Sequence, residues 1–494
     1  MNSRREPHPR KSRFFLEENW PRELPAVVAI AVSAAAMVIL LLVWPPIGVA
    51  DNGDFQRIMG MSGLGYGPGP EEERFFRYFH AEYAAGWEYF GQGYYPSTSW
   101  VYTILAVGLE SLLTWDGRFD IRWLAALYML SLLASAALLF RWARDEGTVF
   151  RWLLAAFAVF GCSDLAYTAY FNSLFGEPMA FVATLFLFVC ALGLISGPDR
   201  LRPRWWTGFI VGALGLIGSK VQNAPIGLLL ALLALGYGFV ACAGDAAWKK
   251  RTRIGALIIA LFSVGIYAAA PSSFKDINKY QSVFYGILLH SPDPEADLRE
   301  LGLDPSLAVN AGTNYFETAP IPQTGPEIRE KFQNVIGHGD IVRFYLAHPG
   351  RLLSQLAKAS EYAFTIKPSY LGNYEPEAGK GAGAVSRSWS WWSEWKANAL
   401  PHHWSVIAGL YAAFLAVCAW EWRLARRLRS GTREWGAYAG GTLAAIGAMS
   451  YAVPVVADGF ADLEKHLFQF NITFDLMAAI VLAWTVRKLL RPRR

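Results

Sequence analysis

Residues 24–57 read LPAVVAIAVSAAAMVILLLVWPPIGVADNGDFQR, an apolar run that ends in a cluster of charged and amide side chains. The part from Leu24 to Trp44 has the roughly 20 residues that a helix needs to cross the hydrocarbon core of a bilayer. Asp51 and Asp54 follow it, and Gly53 between them favours a turn that would bring both carboxylates together. The stretch therefore predicts a membrane helix that leads directly into an acidic motif.

The composition is that of a membrane protein. Hydrophobic residues make up 54% of the chain and charged residues only 17%, whereas soluble domains carry about 25% charged residues. A net charge of +5 in such a chain does not indicate nucleic acid as a partner. The cysteines lie in or beside apolar segments, without metal or disulfide spacing, and we expect them to be small core residues. They are Cys162, Cys190, Cys242 and Cys418.

Hydropathy and the positive-inside rule together predict about ten transmembrane helices. The basic tail 1–23 is expected in the cytoplasm, ahead of a retained helix rather than a cleaved signal. An N-terminal transmembrane module then spans 24–271, with its first extracytoplasmic loop at 45–120, and a C-terminal module spans 402–494. The apolar stretch 98–114 is shorter than a span, and we interpret it as a juxtamembrane or re-entrant helix. Every short loop assigned to the cytoplasm is rich in Arg and Lys, so both termini are expected there.

The long segment 272–401 has no stretch that could span a membrane. Its amphipathic pieces predict a mainly helical loop domain on the extracytoplasmic side. The predicted fold class is therefore an all-α, multi-pass integral membrane protein with juxtamembrane helices and one large loop domain.

Basic residues occur at several predicted extracytoplasmic helix ends, against the positive-inside bias. Ionisable side chains at such ends are usually interfacial anchors, which is the alternative interpretation for each of them. Lys275 and Lys279 are four residues apart and would share one face of a helix. A cluster of cations calls for an anion, and lipid phosphate is the anion available at that depth. The candidate phosphate contacts are Lys220, Lys275, Lys279, Lys367 and Arg57.

Sugar transfer from a lipid-bound donor is the chemistry that such a face could perform, because no nucleotide pool exists outside the cell. An aspartate can accept the proton of an acceptor hydroxyl, and cations can stabilise the phosphate that leaves. The DxxD motif alone is more typical of a solvated helix terminus than of a catalytic site, and Asp51 could simply hold Arg57. The candidate substrate-binding residues are Asn52, Gln222, Asn223, Asp458, Asp462, Lys465 and His466.

The order of these features resembles the GT-C superfamily of membrane glycosyltransferases, which use lipid-phosphate-linked sugars. NGDF at 52–55 is similar to a motif of a bacterial family of glycan-biosynthesis hexosyltransferases. Further stretches are similar to the same family, so that the resemblance covers most of the chain. They are Lys279–Gly286 with Ser291–Leu298, Lys367–Tyr374, and Asp458–Asp462 with Lys465 and His466.

The resemblance implies a catalytic acid in the first outer loop, preferably Asp54, with Asp51 as the second candidate. It implies transfer of a monosaccharide, a hexose, from a polyprenyl-phosphate carrier to a cell-envelope glycan or lipid-linked acceptor. The expected location is the bacterial plasma (inner) membrane, with membrane lipids as further partners. The motif is DxxD rather than the DxD of many metal-dependent transferases, so no metal ligand is assigned, no cofactor is required and a divalent cation is left open.

Other functions fit part of the sequence. A glycolipid transporter or flippase would move the lipid without transferring its sugar, but transporters usually show internal repeats, and none is evident. A non-catalytic subunit of a polysaccharide assembly complex would leave the acidic motif and the outer lysines unexplained. A ligase that acts on lipid-pyrophosphate glycans is an enzymatic variant that could dispense with an acidic base.

Overall fold

The computed structural model describes residues 22–490, except 68 and 115, and most of that chain forms a bundle of long helices. The bundle helices are labelled in chain order, and the other elements are named by their bounds. They are α1 (Leu24–Leu42), α2 (Arg122–Trp142), α3 (Thr148–Cys162), α4 (Glu177–Ser196), α5 (Arg202–Ser219), α6 (Ile226–Ala241), α7 (Ala246–Ala268), α8 (Trp404–Leu428), α9 (Gly431–Asp458) and α10 (Phe468–Leu490).

Within the described residues, seven helices are long and apolar enough to cross a membrane. The number rises to eight if α3 and the segment Leu165–Phe171, bent by 51° at a short break, form one span. Hydropathy also predicts spans at 205–219 and 225–241, but the helices there do not meet the same test: α5 begins with charged residues, and α6 is shorter than the others. The protein is an all-α integral membrane protein, as predicted.

Helices that are adjacent in sequence pack together, as short connections require. The closest pairs are α4 with α5, α6 with α7, and α8 with α9. Helix α9 also contacts α4, α6 and α10, so it connects the helices of the C-terminal part of the chain with those of the N-terminal part. Helix α4 is the most buried candidate span, because its side chains are apolar around the whole helix and none of its faces needs water.

A small antiparallel sheet forms in the first loop, where the sequence patterns predicted no strand. Its strands are β1 (Leu64–Tyr66), β2 (Glu82–Ala85) and β3 (Arg118–Asp120), in the order β1-β2-β3. Gly65 pairs with Ala84 in β2, and Tyr83 pairs with Phe119 in β3. The loop also contains the helices Gln56–Ser62, Glu71–Arg74 and Ser99–Ser111. The last has 13 residues and is too short to span, in line with the juxtamembrane interpretation of 98–114.

Segment 272–401 is built from short helices around an aromatic core of its own, which includes Tyr280, Phe284 and Phe332. Its backbone also joins the first loop, because Gly48 donates to Asn373 and Ala50 to Gly372. The helical elements are Ser272–Ser282, Val283–Ile287, Pro294–Glu300, Pro305–Asn310, Pro326–Ile328, Arg329–Gln333, His338–Ala347, Pro349–Ala359, Ser360–Tyr362, Pro376–Ala378 and Trp391–Ala399.

The first loop and segment 272–401 therefore lie at one end of the bundle, called here the loop-domain end. The connection between α9 and α10 lies there too, since Ser282 donates to the carbonyl of Val456 and Phe460 donates to that of Tyr285. This connection contains one short helix, Leu463–His466. Residues 458–467 are called the α9–α10 connection below.

Candidate functional site

Asp51 fixes the conformation of the acidic motif. One of its carboxylate oxygens accepts the backbone N–H groups of Gly53, at 2.7 Å, and Phe55, at 3.1 Å. The other accepts the hydroxyl of Tyr66 at 2.6 Å, from the end of β1. Burial raises the pKa of Asp51 to about 6, against the opposing effect of these hydrogen bonds. Asp51 is only 4% exposed, so its carboxylate serves to hold the loop.

Asp54 bridges two cations with its two oxygens. One oxygen lies 2.8 Å from the guanidinium of Arg57, and the other lies 2.8 Å from the ammonium of Lys465. Burial alone would raise the pKa of Asp54, but Lys465 and Arg57 together outweigh it and hold that pKa well below its ordinary value. Asp54 is therefore ionised at neutral pH and is a weak base while both cations remain in place.

The α9–α10 connection reaches the acidic motif at two points. Besides the pair of Lys465 with Asp54, the amide of Asn52 donates to Asp462 at 2.9 Å. Lys465 also lies 3.8 Å from Asp462 and is only 1% exposed. Asp462 has a φ of 45°, in the left-handed region that Asp and Asn enter more readily than other non-glycine residues. This turn directs Lys465 inward, so that a buried cation from the end of the chain meets an acid from its beginning.

His466 and Asp458 form a second pair on the α9–α10 connection. The imidazole Nε2 lies 3.0 Å from the Asp458 carboxylate, and the backbone carbonyl of His466 accepts the amide of Gln222 at 2.9 Å. The other ring nitrogen and the other carboxylate oxygen are buried without a protein partner among the described residues. The hydrogen bond from Gln222 ties the connection between α5 and α6 to this site, and the pair of His466 and Asp458 keeps two polar atoms available for a ligand.

Lys220 brings a third cation to the loop-domain end of the bundle. It lies 2.7 Å from Glu177, the first residue of α4, and its charge is among those that lower the pKa of Asp54. Gly176 allows this approach, because a Cβ there would lie 2.3 Å from the carbonyl oxygen of Ser219. Asn223 donates to the hydroxyl of Ser219 at 2.9 Å and so stabilises the turn that carries Lys220.

Aromatic rings cover the cations of the site. The guanidinium of Arg57 lies 3.6 Å from the ring centre of Phe274 and 5.7 Å from that of Tyr95. The ammonium of Lys465 lies 4.7 Å from the ring centre of Phe175. Cation–π contacts of this kind hold a charge in place without neutralising it. The cluster of Asp54, Arg57, Lys465, Asn52, Asp462, Lys220 and Glu177 is called the Asp54 cluster below.

Three of the predicted phosphate contacts are engaged elsewhere. Lys279 donates to the backbone carbonyls of residues 333 and 336 inside the loop domain, and Lys275 lies 5.3 Å from the ring centre of Tyr267. Lys367 donates to the carbonyl of Ser386, and burial lowers its pKa to about 8. None of the contacts described for these three lysines involves Asp54 or its cations. Their role in phosphate binding stays a prediction, whereas Arg57 and Lys220 do lie in the cluster.

The sequence-based choice of site residues missed a buried ion pair in the N-terminal half of α10. Lys396 is fully buried and lies 2.7 Å from both Asp475 and Asn471. Tyr167 and Trp392 donate to the second oxygen of Asp475, at 2.6 and 2.7 Å. An acid inside the apolar sequence FQFNITFDLMAA is the signal that could have drawn attention to it, because ionisable residues are rare in membrane helices. The choice also missed Glu177, the partner of Lys220.

Among the described residues, no group of three or more His, Cys, Asp or Glu side chains is arranged to hold a metal ion.

The family model for the YfdI N-terminal transmembrane domain matches residues 12–494. The chain belongs to the YfdI family. The match covers every helix of the bundle and identifies a multi-pass membrane protein. No curated protein and no solved structure matches this YfdI-family chain significantly.

Proposed function

We propose that this protein is an integral-membrane glycosyltransferase of the GT-C type in the bacterial plasma membrane. It transfers a monosaccharide, a hexose, from a polyprenyl-phosphate carrier to a cell-envelope glycan or lipid-linked acceptor on the extracytoplasmic face. The observation that carries the proposal is the position of Asp54 between Arg57 and Lys465, with Lys220 close by, at the loop-domain end of a membrane bundle.

The distribution of charge along the bundle supports the extracytoplasmic placement of that end. The opposite helix ends carry most of the arginines and lysines of the short connections, as the positive-inside rule expects of a cytoplasmic side. These residues are Arg141, Arg144, Arg200, Arg202, Arg204, Lys249, Lys250, Arg251, Arg253, Arg426, Arg427, Arg429, Arg487 and Lys488.

The Asp54 cluster contains the groups that sugar transfer needs. The acceptor hydroxyl oxygen bonds to the anomeric carbon, the bond from that carbon to the phosphate oxygen breaks, and polyprenyl phosphate leaves with the electron pair. Asp54 takes the proton of the hydroxyl, while Arg57 and Lys465 stabilise the charge on the departing phosphate. Asp51 does not touch the substrate in this scheme, since its oxygens are used to hold the loop.

An apolar groove supplies a place for the carrier's hydrocarbon chain. It lies among α1, α2, α3 and α4 and is lined almost entirely by aliphatic and aromatic side chains. Leu476 of α10 and Cys162 at the end of α3 line it as well. An isoprenoid chain gains from such a surface, because each buried CH₂ group contributes about 0.8 kcal/mol.

The test uses membrane vesicles that contain the protein, with radiolabelled polyprenyl-phosphate glucose, galactose and mannose as alternative donors. Transfer of label to envelope glycans is expected with one of them, and Asp54→Asn should reduce it by roughly 100-fold or more, which is the usual contribution of a general base. Glu295→Gln is the matched control, because Glu295 belongs to an exposed pair with Arg299 in the loop domain.

Full transfer by Asp54→Asn would remove Asp54 from the mechanism. Movement of the labelled lipid across the membrane without sugar transfer would favour a transporter. Binding of the donor without turnover, with every donor and acceptor tested, would favour a non-catalytic subunit.

A further inference from the structure

Every cation of the Asp54 cluster already has a carboxylate partner. Arg57 and Lys465 both bind Asp54, at 2.8 Å each, and Lys220 binds Glu177 at 2.7 Å. Lys465 has Asp462 as a further partner at 3.8 Å. An anionic ligand therefore finds no unpaired cation within the cluster and has to take the place of a carboxylate.

Asp54 is the carboxylate whose geometry an anion could reproduce. It offers one oxygen to Arg57 and the other to Lys465, so that two oxygens on one central atom bridge two cations from distant parts of the chain. A phosphate group carries at least two non-bridging oxygens on one phosphorus and can make the same pair of charge-assisted hydrogen bonds. Glu177 offers only one oxygen to a cation, and its other oxygen has no protein partner among the described residues.

We propose that the Asp54 side chain occupies the binding site of a phosphate group, so that phosphate binding and the release of Asp54 from its cations are one event. The identity of the natural phosphate as that of a lipid-linked sugar rests on the proposed function. The exchange itself rests only on the ion pairs of the Asp54 cluster.

The surroundings show which groups move in this exchange. Lys465 is 1% exposed and stays fixed by Asp462 and the ring of Phe175, whereas the side chain of Arg57 is 28% exposed. The backbone of the motif also stays, because Asp51 holds it through Gly53 and Phe55. Rotation of the Asp54 side chain, which is 23% exposed, is therefore sufficient to clear the site.

The exchange gives Asp54 the base strength that it lacks in the paired state. Its two cations then neutralise the phosphate instead of the carboxylate. A nearby phosphate anion also disfavours the ionised carboxylate, so Asp54 gains affinity for a proton only when the anion is bound. Phosphate binding thus prepares the base for a substrate hydroxyl, and the base stays weak in the absence of the anion.

The experiment measures binding of decyl phosphate to the full-length protein in detergent by isothermal titration calorimetry. Removal of the competing charge in Asp54→Asn should tighten binding by about tenfold, because the phosphate no longer has to displace a carboxylate from Arg57 and Lys465. Arg57→Gln should weaken binding by at least about tenfold. Glu295→Gln, in an exposed pair of the loop domain, should bind like the unmodified protein.

Inorganic phosphate forms the second arm and separates the two sources of the anion. Tighter binding by Asp54→Asn in the decyl phosphate arm alone assigns the site to a lipid headgroup, and the same effect in both arms assigns it to phosphate in general. Either result supports the exchange. Unchanged or weaker binding by a folded Asp54→Asn variant in both arms overturns it.

Folding of each variant is checked by its thermal unfolding. If Asp54→Asn does not fold, the proposal is tested by Arg57→Gln alone. Unaltered phosphate binding by Arg57→Gln overturns the exchange. The measurement involves no turnover. Phosphate binding that follows the exchange pattern in a protein without transferase activity would contradict the proposed function and leave the exchange standing.

Discussion

The ion pair between Asp54 and Lys465 gives the sharpest prediction for stability. At an effective dielectric constant of about 20, unit charges 2.8 Å apart attract by about 6 kcal/mol, but desolvation of the buried ammonium offsets most of this. Asp54→Asn leaves Lys465, which is 1% exposed, with only Asp462 as a carboxylate partner, at 3.8 Å. This variant should lower the free energy of unfolding by about 3 kcal/mol. Lys465→Met leaves a partly exposed carboxylate that retains Arg57, and should cost about 2 kcal/mol.

The double variant Asp54→Asn/Lys465→Met removes both charges and should cost about 3 kcal/mol, which makes the coupling energy about 2 kcal/mol. The free energy of unfolding is measured by titration with SDS in mixed micelles, followed by tryptophan fluorescence. The exposed pair of Glu295 and Arg299 provides the matched cycle, with an expected coupling below about 0.5 kcal/mol. Additive effects of Asp54 and Lys465, within about 0.5 kcal/mol, would refute the inferred pairing.

The other predictions concern the supports of the site. Burial raises the pKa of Asp51 from 3.8 to about 6, so between these values the folded protein binds more protons than the unfolded chain. The free energy of unfolding should therefore fall as the pH rises from about 4 to about 6. Asp51→Asn should remove this contribution to the pH dependence of unfolding. Gly176→Ala should lower transferase activity and stability, since its Cβ would meet the carbonyl of Ser219 at 2.3 Å; a crystal structure with an unshifted loop would contradict this. Lys396→Met leaves Asp475 buried as an unpaired anion and should lower the free energy of unfolding in SDS by about 3 kcal/mol. The double variant Lys396→Met/Asp475→Leu should recover part of this loss. Equal stability of Lys396→Met and the parent protein would contradict the role of the pair.

The bundle helices could be located from the sequence because hydropathy is a local property. Hydropathy predicts helices at 178–195 and at about 469–486, and the structure has them at Glu177–Ser196 and Phe468–Leu490. Hydropathy predicts α9 at 435–453, but the helix extends over Gly431–Asp458, since its polar ends remain helical beyond the apolar stretch. The strands of the first loop could not be predicted, because three or four residues with partners far along the chain carry too little pattern.

The sequence identified most of the residues that form the candidate site, but it did not predict which of them contact one another. The acidic motif and the α9–α10 connection were both selected because charged residues follow apolar segments. Nothing in the sequence paired Asp54 with Lys465, 411 residues later, and only the family resemblance ranked Asp54 above Asp51 as the catalytic acid. Lys279 was a candidate phosphate contact together with Lys220, yet its ammonium is bound by backbone carbonyls inside the loop domain.

The sequence by itself determined that the protein lies in a membrane, where its helices run, and that an acidic motif follows the first of them. Each of these depends on the transfer of a contiguous segment out of water, which the segment's own composition controls. The tertiary structure alone decided that Asp51 holds the loop while Asp54 bridges two cations. Hydrogen bonds and ion pairs act over about 3 Å, and only the packed fold brings residues so distant in sequence within that range.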